Sequence, residues 1–357
     1  LLMSVQKPAR YMGGEFNSIM KNPEDVDVRF AFLFPDTYEV GMSHLGMKIL
    51  YHTINRRDDA WCERVFSPWV DMADLMREND IPLFSLESRT PIRDFDLLGV
   101  TLQYEMSYTN ILDALDLAGI PLRAADRTDG PFVIVGGPCA FNPEPLHLFF
   151  DAFTIGDGED STGEIVEVIK AAKAEGLSRE ETLMRLVKVR GTYVPAFYAA
   201  EYNDDNTLKA FYPTREGVPE KVRKCIVTNL DGAKYPVKIS VPFQEIIHDR
   251  IVLEVMRGCT RGCRFCQAGM LYRPVRERKV GTLLKLAEEL CKNTGYDEVS
   301  LSSLSTGDYS CLPQLTRELN ERLVPKRVSI SLPSLRLDKP LSESLEQTQK
   351  VRKSSLT

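Results

Sequence analysis

Histidine is scarce in this chain, four residues in 357, and none follows His248. A zinc site of mixed cysteine and histidine ligands therefore has no histidine to draw on downstream of that residue. No second C-x2-C pair accompanies the one cysteine cluster described below, which weakens the case for a four-thiolate zinc ribbon. No apolar run approaches the ~20 residues that span a bilayer, so no membrane helix and no membrane partner is expected. Leu1 to Arg10 contain neither a long apolar core nor a small-residue cleavage site, and so do not read as a signal peptide. No stripe of Lys and Arg interleaved with aromatics stands out, so charge alone gives no argument for nucleic acid. What is present is ordinary globular composition, 43% hydrophobic and 27% charged, with length for two or three domains. Eight unevenly spread cysteines fit a reducing interior, and a cytoplasmic location is the expectation.

The formal net charge of -6 is unevenly divided. Residues 251 to 357 carry 18 Lys/Arg against 12 Asp/Glu, which leaves the acidic excess in residues 1 to 250. A modest basic excess suits an anionic cofactor or substrate, although solvated surface charge is the plainer account.

The chain is organised around Arg257-Gly258-Cys259-Thr260-Arg261-Gly262-Cys263-Arg264-Phe265-Cys266, which directly follows the apolar run Ile251 to Met256. Cys259, Cys263 and Cys266 fall at C-x3-C-x2-C spacing. A strand that delivers a short thiolate loop can wrap three corners of a cubane [4Fe–4S] cluster and leave the fourth iron open to a small molecule. Zinc is the main alternative. A disulfide would leave one of the three cysteines over.

This stretch resembles the radical S-adenosylmethionine (radical SAM) signature C-x3-C-x-aromatic-C, with Phe265 in the aromatic position. The resemblance implies a cluster on Cys259, Cys263 and Cys266, with S-adenosylmethionine chelated at the open iron. It further implies reductive cleavage to a 5′-deoxyadenosyl radical, and a one-electron reductant of flavodoxin or ferredoxin type as partner.

Taken in order, residues 1 to 27 read as an N-terminal extension. From 28 to 176 strands alternate with helices. The expected strands are Val28 to Phe34, Cys62 to Phe66, Leu83 to Leu86, Leu97 to Leu102, Phe132 to Val135 and Phe153 to Ile155. The expected helices run from about Gly46 to Arg56, Trp69 to Glu78, Ser107 to Ala118 and Thr162 to Gly176. The pattern predicts an α/β fold with a Rossmann-like, doubly wound parallel sheet whose ligand binds at the carboxyl ends of the strands. Glycine pairs fall at those ends, where a bare backbone can approach a flat ring or a nucleotide tail.

This order of elements is similar to the cobalamin-binding domain that precedes the barrel in one large class of radical SAM enzymes. Ser43-His44-Leu45-Gly46 resembles the Pro-Leu-Gly entry to that domain's first helix. Val100-Thr101-Leu102 resembles its strand-end Ser-x-Leu, and Gly136-Gly137 its Gly-Gly. Gly156-Asp157-Gly158-Glu159 resembles its acidic Gly-Glu-Gly-Glu turn. The resemblance implies that Leu45, Gly46, Thr101, Gly136, Gly137, Gly156 and Gly158 line a cobalamin site. From Lys7 onward the chain resembles an uncharacterised bacterial family of cobalamin-binding-domain radical SAM proteins. Domains that ligate cobalt carry Asp-x-His-x-x-Gly, whereas Asp36-Thr37-Tyr38-Glu39-Val40-Gly41 has tyrosine in the histidine position. No histidine is therefore expected beneath the cobalt, and His44 is the nearest substitute.

Residues 177 to 250 read as a connecting region with a capping box at Ser178 and β-like runs at Phe197 to Tyr202, Leu208 to Tyr212 and Lys224 to Asn229. Residues 251 to 357 read as strand–helix–strand–helix–strand, the first half of a (β/α) barrel. The strands are Ile251 to Met256, Glu298 to Leu304 and Val328 to Leu332, with helices at Thr282 to Thr294 and Leu312 to Leu323. A further helix is expected at Ser342 to Val351. The resemblance puts Gly307 and Asp308 where radical SAM proteins contact the amino group of S-adenosylmethionine. It usually implies six βα units, so either the chain is truncated or a partner completes the barrel; a truncated, weakly active or inactive piece is the expectation. The substrate, small molecule or RNA, and the oligomeric state are not legible. A methylthiotransferase-like RNA-modifying enzyme and a non-catalytic iron–sulfur protein are the rival readings.

Overall fold

A computed structural model describes residues 1–335, 348 and 350–352. The chain divides into two compact units. The first holds Leu1–Gly14 and Ser18–Ile226; the second holds Glu15–Asn17 and the chain from Val227 onward. The stretch 177–250 is thus shared between them. Of the helix expected at Ser342 to Val351, only Thr348, Lys350 and Val351 are among the described residues, and Arg336 and the tail from Lys353 lie outside them.

In the first unit β1 (Val28–Phe34) leads through α1 (Tyr38–Ser43) and α2 (Leu45–Asn55) to β2 (Ala60–Phe66) and α3 (Val70–Glu78). Then come β3 (Leu97–Thr101), α4 (Tyr108–Leu117), β4 (Phe132–Gly136), β5 (Ala152–Thr154), α5 (Gly158–Glu175) and α6 (Arg179–Leu186). The strand order is β2-β1-β3-β4-β5, all parallel, with the two-residue β6 (Thr192–Tyr193) added antiparallel to β5. Both faces of β1 are buried, as an interior strand between β2 and β3 requires. Ala31 and Leu33 join Val65, Leu98, Val100, Val133 and Val135 in a core closed by Met72 and Met76 of α3 and Ile111 and Leu115 of α4. Phe30, Phe32 and Phe34 alternate with them and are also buried. Each fully buried aliphatic side chain contributes about 1.5–3 kcal/mol relative to exposure. Gly99 makes room on β3, because a Cβ there would stand 2.4 Å from the Phe30 ring. A hairpin of β7 (Tyr198–Tyr202) and β8 (Leu208–Pro213) follows.

Two expected strands are absent. Leu83 to Leu86 makes one isolated bridge, Phe84 with Pro91. Its amides go to scattered acceptors, Leu83 to Leu117, Ser85 to Thr90 and Leu86 to Arg64, so no ladder forms. Lys224 to Asn229 likewise contributes one bridge, Cys225 with Gly156. Helix α5 begins at Gly158, four residues before the expected Thr162, and α1 was not anticipated.

In the second unit β9 (Ile251–Glu254) passes to β10 (Met256–Arg257), and a long loop containing α7 (Ala268–Leu271) returns to β11 (Arg276–Glu277). After α8 (Val280–Thr294), β12 (Glu298–Ser302), α9 (Leu312–Leu323) and β13 (Ser329–Ser331), the parallel order is β13-β12-β9. Leu283, Leu284, Ala287 and Leu290 give α8 one buried face, and Leu312, Leu315, Leu319 and Leu323 give α9 another. Gly295, at φ 75°, closes α8 in the left-handed conformation. The expected single strand Ile251 to Met256 breaks at Val255. That residue donates to Ser302 while its carbonyl accepts from Arg278, handing the chain from the β12 ladder to the β11 ladder. Among the described residues no helix is long and apolar enough to cross a membrane.

Candidate functional site

Residues 258–275 form the loop between β10 and β11, whose antiparallel ladder pairs Met256 with Glu277 and Arg257 with Arg276. The loop leaves the carboxyl end of β9, where ligands gather in parallel α/β sheets. Gly258 sits at φ 89°, and a Cβ there would lie 2.6 Å from both the Tyr272 and Pro274 carbonyl oxygens. Only glycine lets the first half of the loop lie against the second so closely. Buried Arg276 pins the second half, donating to the carbonyls of Tyr272, Pro274 and Val227 at 3.1 Å each.

Cys259, Cys263 and Cys266 are half-buried, and no disulfide joins any of the eight cysteines. Backbone amides already face two of the sulfurs, Arg261 N–H to Cys259 Sγ and Gly269 N–H to Cys266 Sγ, both at 3.4 Å. Donors aimed at a sulfur that ligates a metal tune the metal it binds. Phe265 stands almost wholly exposed at the loop tip. The other thiols are in a different situation. Burial pushes those of Cys62, Cys139, Cys225 and Cys291 up, which keeps them protonated and inert. Among the described residues no three His, Cys, Asp or Glu side chains converge closely enough to hold one metal ion. A cubane takes each thiolate on a separate iron, so its ligands need not converge on a point.

The loop after β12 comes to the same place. Gly307 and Asp308 lie on a short 3-10 turn, Thr306–Asp308. Asp308 accepts two bonds from Arg261, Nε to Oδ2 at 2.8 Å and Nη2 to Oδ1 at 2.5 Å. Sequence reasoning missed Arg261. It lies 47 positions from its partner, and nothing local marks it.

In the first unit the order β2-β1-β3 puts the switch point between the carboxyl ends of β1 and β3. Asp36 follows β1 and accepts from the hydroxyl of Tyr104, which follows β3, at 3.0 Å. Ser67, at the end of β2, donates its backbone N–H to the Asp36 carbonyl, while its buried Oγ has no hydrogen-bond partner among the described residues. Thr101 Oγ1 accepts from Gln103. The sequence marks Thr101, and Asp36 only as part of the Asp-x-His-x-x-Gly comparison; Ser67, Gln103 and Tyr104 carry no such signal.

The anticipated glycines are occupied by the chain. A Cβ on Gly137 would lie 2.5 Å from the Leu102 oxygen, and one on Gly156 would lie 2.1 Å from the Cys225 oxygen. Gly136 faces Thr154 Oγ1 and Gly158 faces Leu50. Leu45 and Gly46 open α2, where His44 Nδ1 accepts the Met47 amide at 3.1 Å and folds its ring over Gly46. Burial depresses His44 from 6.5 to about 4, partly offset by a hydrogen bond with Gln103, so the ring is neutral as a cap requires. Tyr38 is buried in α1 with its ring edge-on to Phe66.

Comparison with known families bears on both units. Residues 46–195 match "Radical SAM proteins, N-terminal", and residues 253–355 match "Radical SAM superfamily". The chain carries radical SAM domains. The radical SAM match at 253–355 includes Cys259, Cys263, Cys266, Gly307 and Asp308. A curated relative, Uncharacterized protein MJ0966 of Methanocaldococcus jannaschii, is 27% identical over 312 residues, covering 86% of this chain and 55% of that protein. The structure of the radical S-adenosylmethionine methyltransferase TsrM from Kitasatospora setae, with cobalamin and a [4Fe–4S] cluster bound, has a similar fold. Its TM-score is 0.58 at 12% identity, covering 91% of this chain and 59% of that one. The chain thus spans little more than half the length of either.

Proposed function

We propose that this chain is part of a radical SAM enzyme that holds a [4Fe–4S] cluster on Cys259, Cys263 and Cys266 and works with cobalamin. The observation that carries the proposal is the loop itself. Three half-buried thiols, two facing backbone donors, leave the carboxyl end of the first strand of a parallel sheet. When bound, the cluster supplies one electron and an iron with an open position for S-adenosylmethionine. The chain's share is placement. Gly258 and Arg276 fold the loop back on itself, and the end of β12 brings Gly307 and Asp308 beside it. Phe265 at the tip remains available to cover a bound ligand. A one-electron reductant of flavodoxin or ferredoxin type is the partner this chemistry needs.

The cobalamin part rests on the first unit. Its strand order puts Asp36, Ser67, Gln103 and Tyr104 around one switch point, and the orphaned Ser67 hydroxyl there suits a polar ligand. That TsrM, a protein of similar fold, is bound to both groups supports the same reading. With Tyr38 in the core and His44 Nδ1 bonded to its own helix, the residues fit a cobalamin that takes no protein nitrogen on cobalt. The methylthiotransferase reading needs a second cysteine triad, whereas Cys62, Cys139 and Cys225 do not form a metal-holding group. Methyl transfer to an unidentified small molecule or RNA is the reaction class proposed.

The test is anaerobic reconstitution followed by ultraviolet–visible spectra with and without added cobalamin. The expected result is about four irons and four sulfides per chain, and retention of cobalamin through gel filtration. One zinc and no sulfide would reject the cluster. Cluster without cobalamin would reject the second half only.

A further inference from the structure

The two halves of the cysteine loop are held by different means. Arg276 fixes the half from Tyr272 onward through the carbonyls of Tyr272 and Pro274, and is itself tied to the Val227 carbonyl. The thiol-bearing half has Arg261, standing between Cys259 and Cys263. Its planar fork makes two parallel bonds to Asp308, a geometry that fixes orientation as well as distance. The acceptor is itself held still. Asp308 Oδ2 accepts from Ser305 Oγ at 2.8 Å, and the Asp308 amide donates to the Ser305 carbonyl at 2.9 Å. Ser305 is buried, and the hydroxyl of Tyr309, which follows Asp308, donates to the Arg278 carbonyl at 2.8 Å. The Asp308 side chain is 13% exposed, so solvent screens this pair less than a surface pair.

We propose that Arg261 and Asp308 form a positioning clamp. It ties the Cys259–Cys263 segment to the end of β12 and sets the geometry in which the three thiolates meet the cluster. The inference rests on the cluster reading above. A loop anchored only at its root loses conformational freedom when it wraps a ligand, and ordering it in advance moves that cost into folding. Losing the clamp therefore changes how firmly and how uniformly the cluster is held, not how many cysteines hold it. Lysine cannot replace Arg261, because a single ammonium does not reproduce the fork.

Asp308→Asn, Arg261→Lys and the exchanged pair Arg261→Asp with Asp308→Arg test this in the full chain. In the metal-free protein, hydrogen exchange of the amides of residues 259–266 is expected to rise about tenfold in each single variant, the effect of losing one partly shielded charged pair. After anaerobic reconstitution, iron release to a chelator is expected to speed up by a similar factor, and the spin-resonance signal of the reduced cluster to broaden. The exchanged pair is expected to move both readouts back toward wild type. Unchanged exchange together with an unchanged spectrum in both single variants would overturn the clamp. Exchange in β9 and β12 monitors folding. If Asp308→Asn disrupts those strands, Arg261→Lys, which leaves the Ser305–Asp308 turn intact, carries the test. Wild-type protein that takes up no cluster would reject the cluster reading, while exchange in the metal-free variants would still decide whether the pair holds the loop.

Discussion

The carboxyl ends of the two parallel sheets use their short motifs differently. In the first unit His44 caps α2, Gly137 admits the Leu102 backbone and Gly156 admits the Cys225 backbone. Each satisfies a need of the fold itself. In the second unit Cys259, Cys263 and Cys266 remain half-buried thiols, Phe265 is exposed, and a Cβ on Gly262 would meet nothing within 4 Å. A glycine or histidine at a strand end is therefore weak evidence for a ligand until its own neighbours are counted. A set of clustered cysteines joined by no disulfide is stronger.

The sharpest way to break this contrast is to remove thiols. Changing any one of Cys259, Cys263 or Cys266 to Ala should abolish most of the iron bound after reconstitution, measured colorimetrically. Cys291→Ala and Cys311→Ala should retain it. Equal loss from Cys291→Ala would show that the ligands have been misassigned.

Glycine substitutions come next. Gly137 has φ 106° and ψ 179°, a region that side chains rarely adopt, and a Cβ would strike the Leu102 oxygen. Gly137→Ala should destabilise the first unit by about 3 kcal/mol, seen as a lower denaturant midpoint. Gly262→Ala should change stability by less than about 0.5 kcal/mol. Equal tolerance at the two sites would mean that Gly137 is kept open for something other than Leu102.

His44 offers a smaller effect and a pH signature. His44→Ala should cost about 1 kcal/mol as a lost helix cap. The folded value of about 4 lies below the ordinary 6.5, so folding favours the neutral ring. Its contribution is complete above about pH 6.5 and is lost as the pH falls toward 4. Wild type should therefore lose more stability than His44→Ala between those pH values in denaturant titrations. Parallel losses would deny the ring its capping role. A nitrogen splitting from His44 in the cob(II)alamin spin-resonance spectrum would contradict it outright.

The smallest effect separates the sheets themselves. Strand β4 is paired on both sides, by β3 and β5, whereas β13 pairs with β12 alone among the described residues. Hydrogen exchange should be slower in Phe132 to Gly136 than in Ser329 to Ser331. The reverse order would place the more stable sheet in the second unit.

Much of this was legible in sequence because it is local. The alternation in Val28 to Phe34, the apolar faces of α8 and α9, and the Ser178 capping box are patterns within one element. The cysteine spacing is also local, and it lies within the stretch of superfamily similarity. What failed depended on distant partners. Leu83 to Leu86 looks like a strand, but its amides find three separate acceptors. The glycine pairs suggested ligand approach, yet what lies against Gly137 and Gly156 is backbone 35 and 69 positions away along the chain. The Arg261–Asp308 pair joins two loops that no periodicity connects.

The central claim is an iron left open by three protein thiolates, and adding S-adenosylmethionine to the reduced, reconstituted chain tests it most directly. The g-values of the cluster's spin-resonance spectrum are expected to change, and the change to saturate at one ligand per cluster. A spectrum that does not respond, from protein holding about four irons, would mean that the fourth iron is already ligated and would contradict the account.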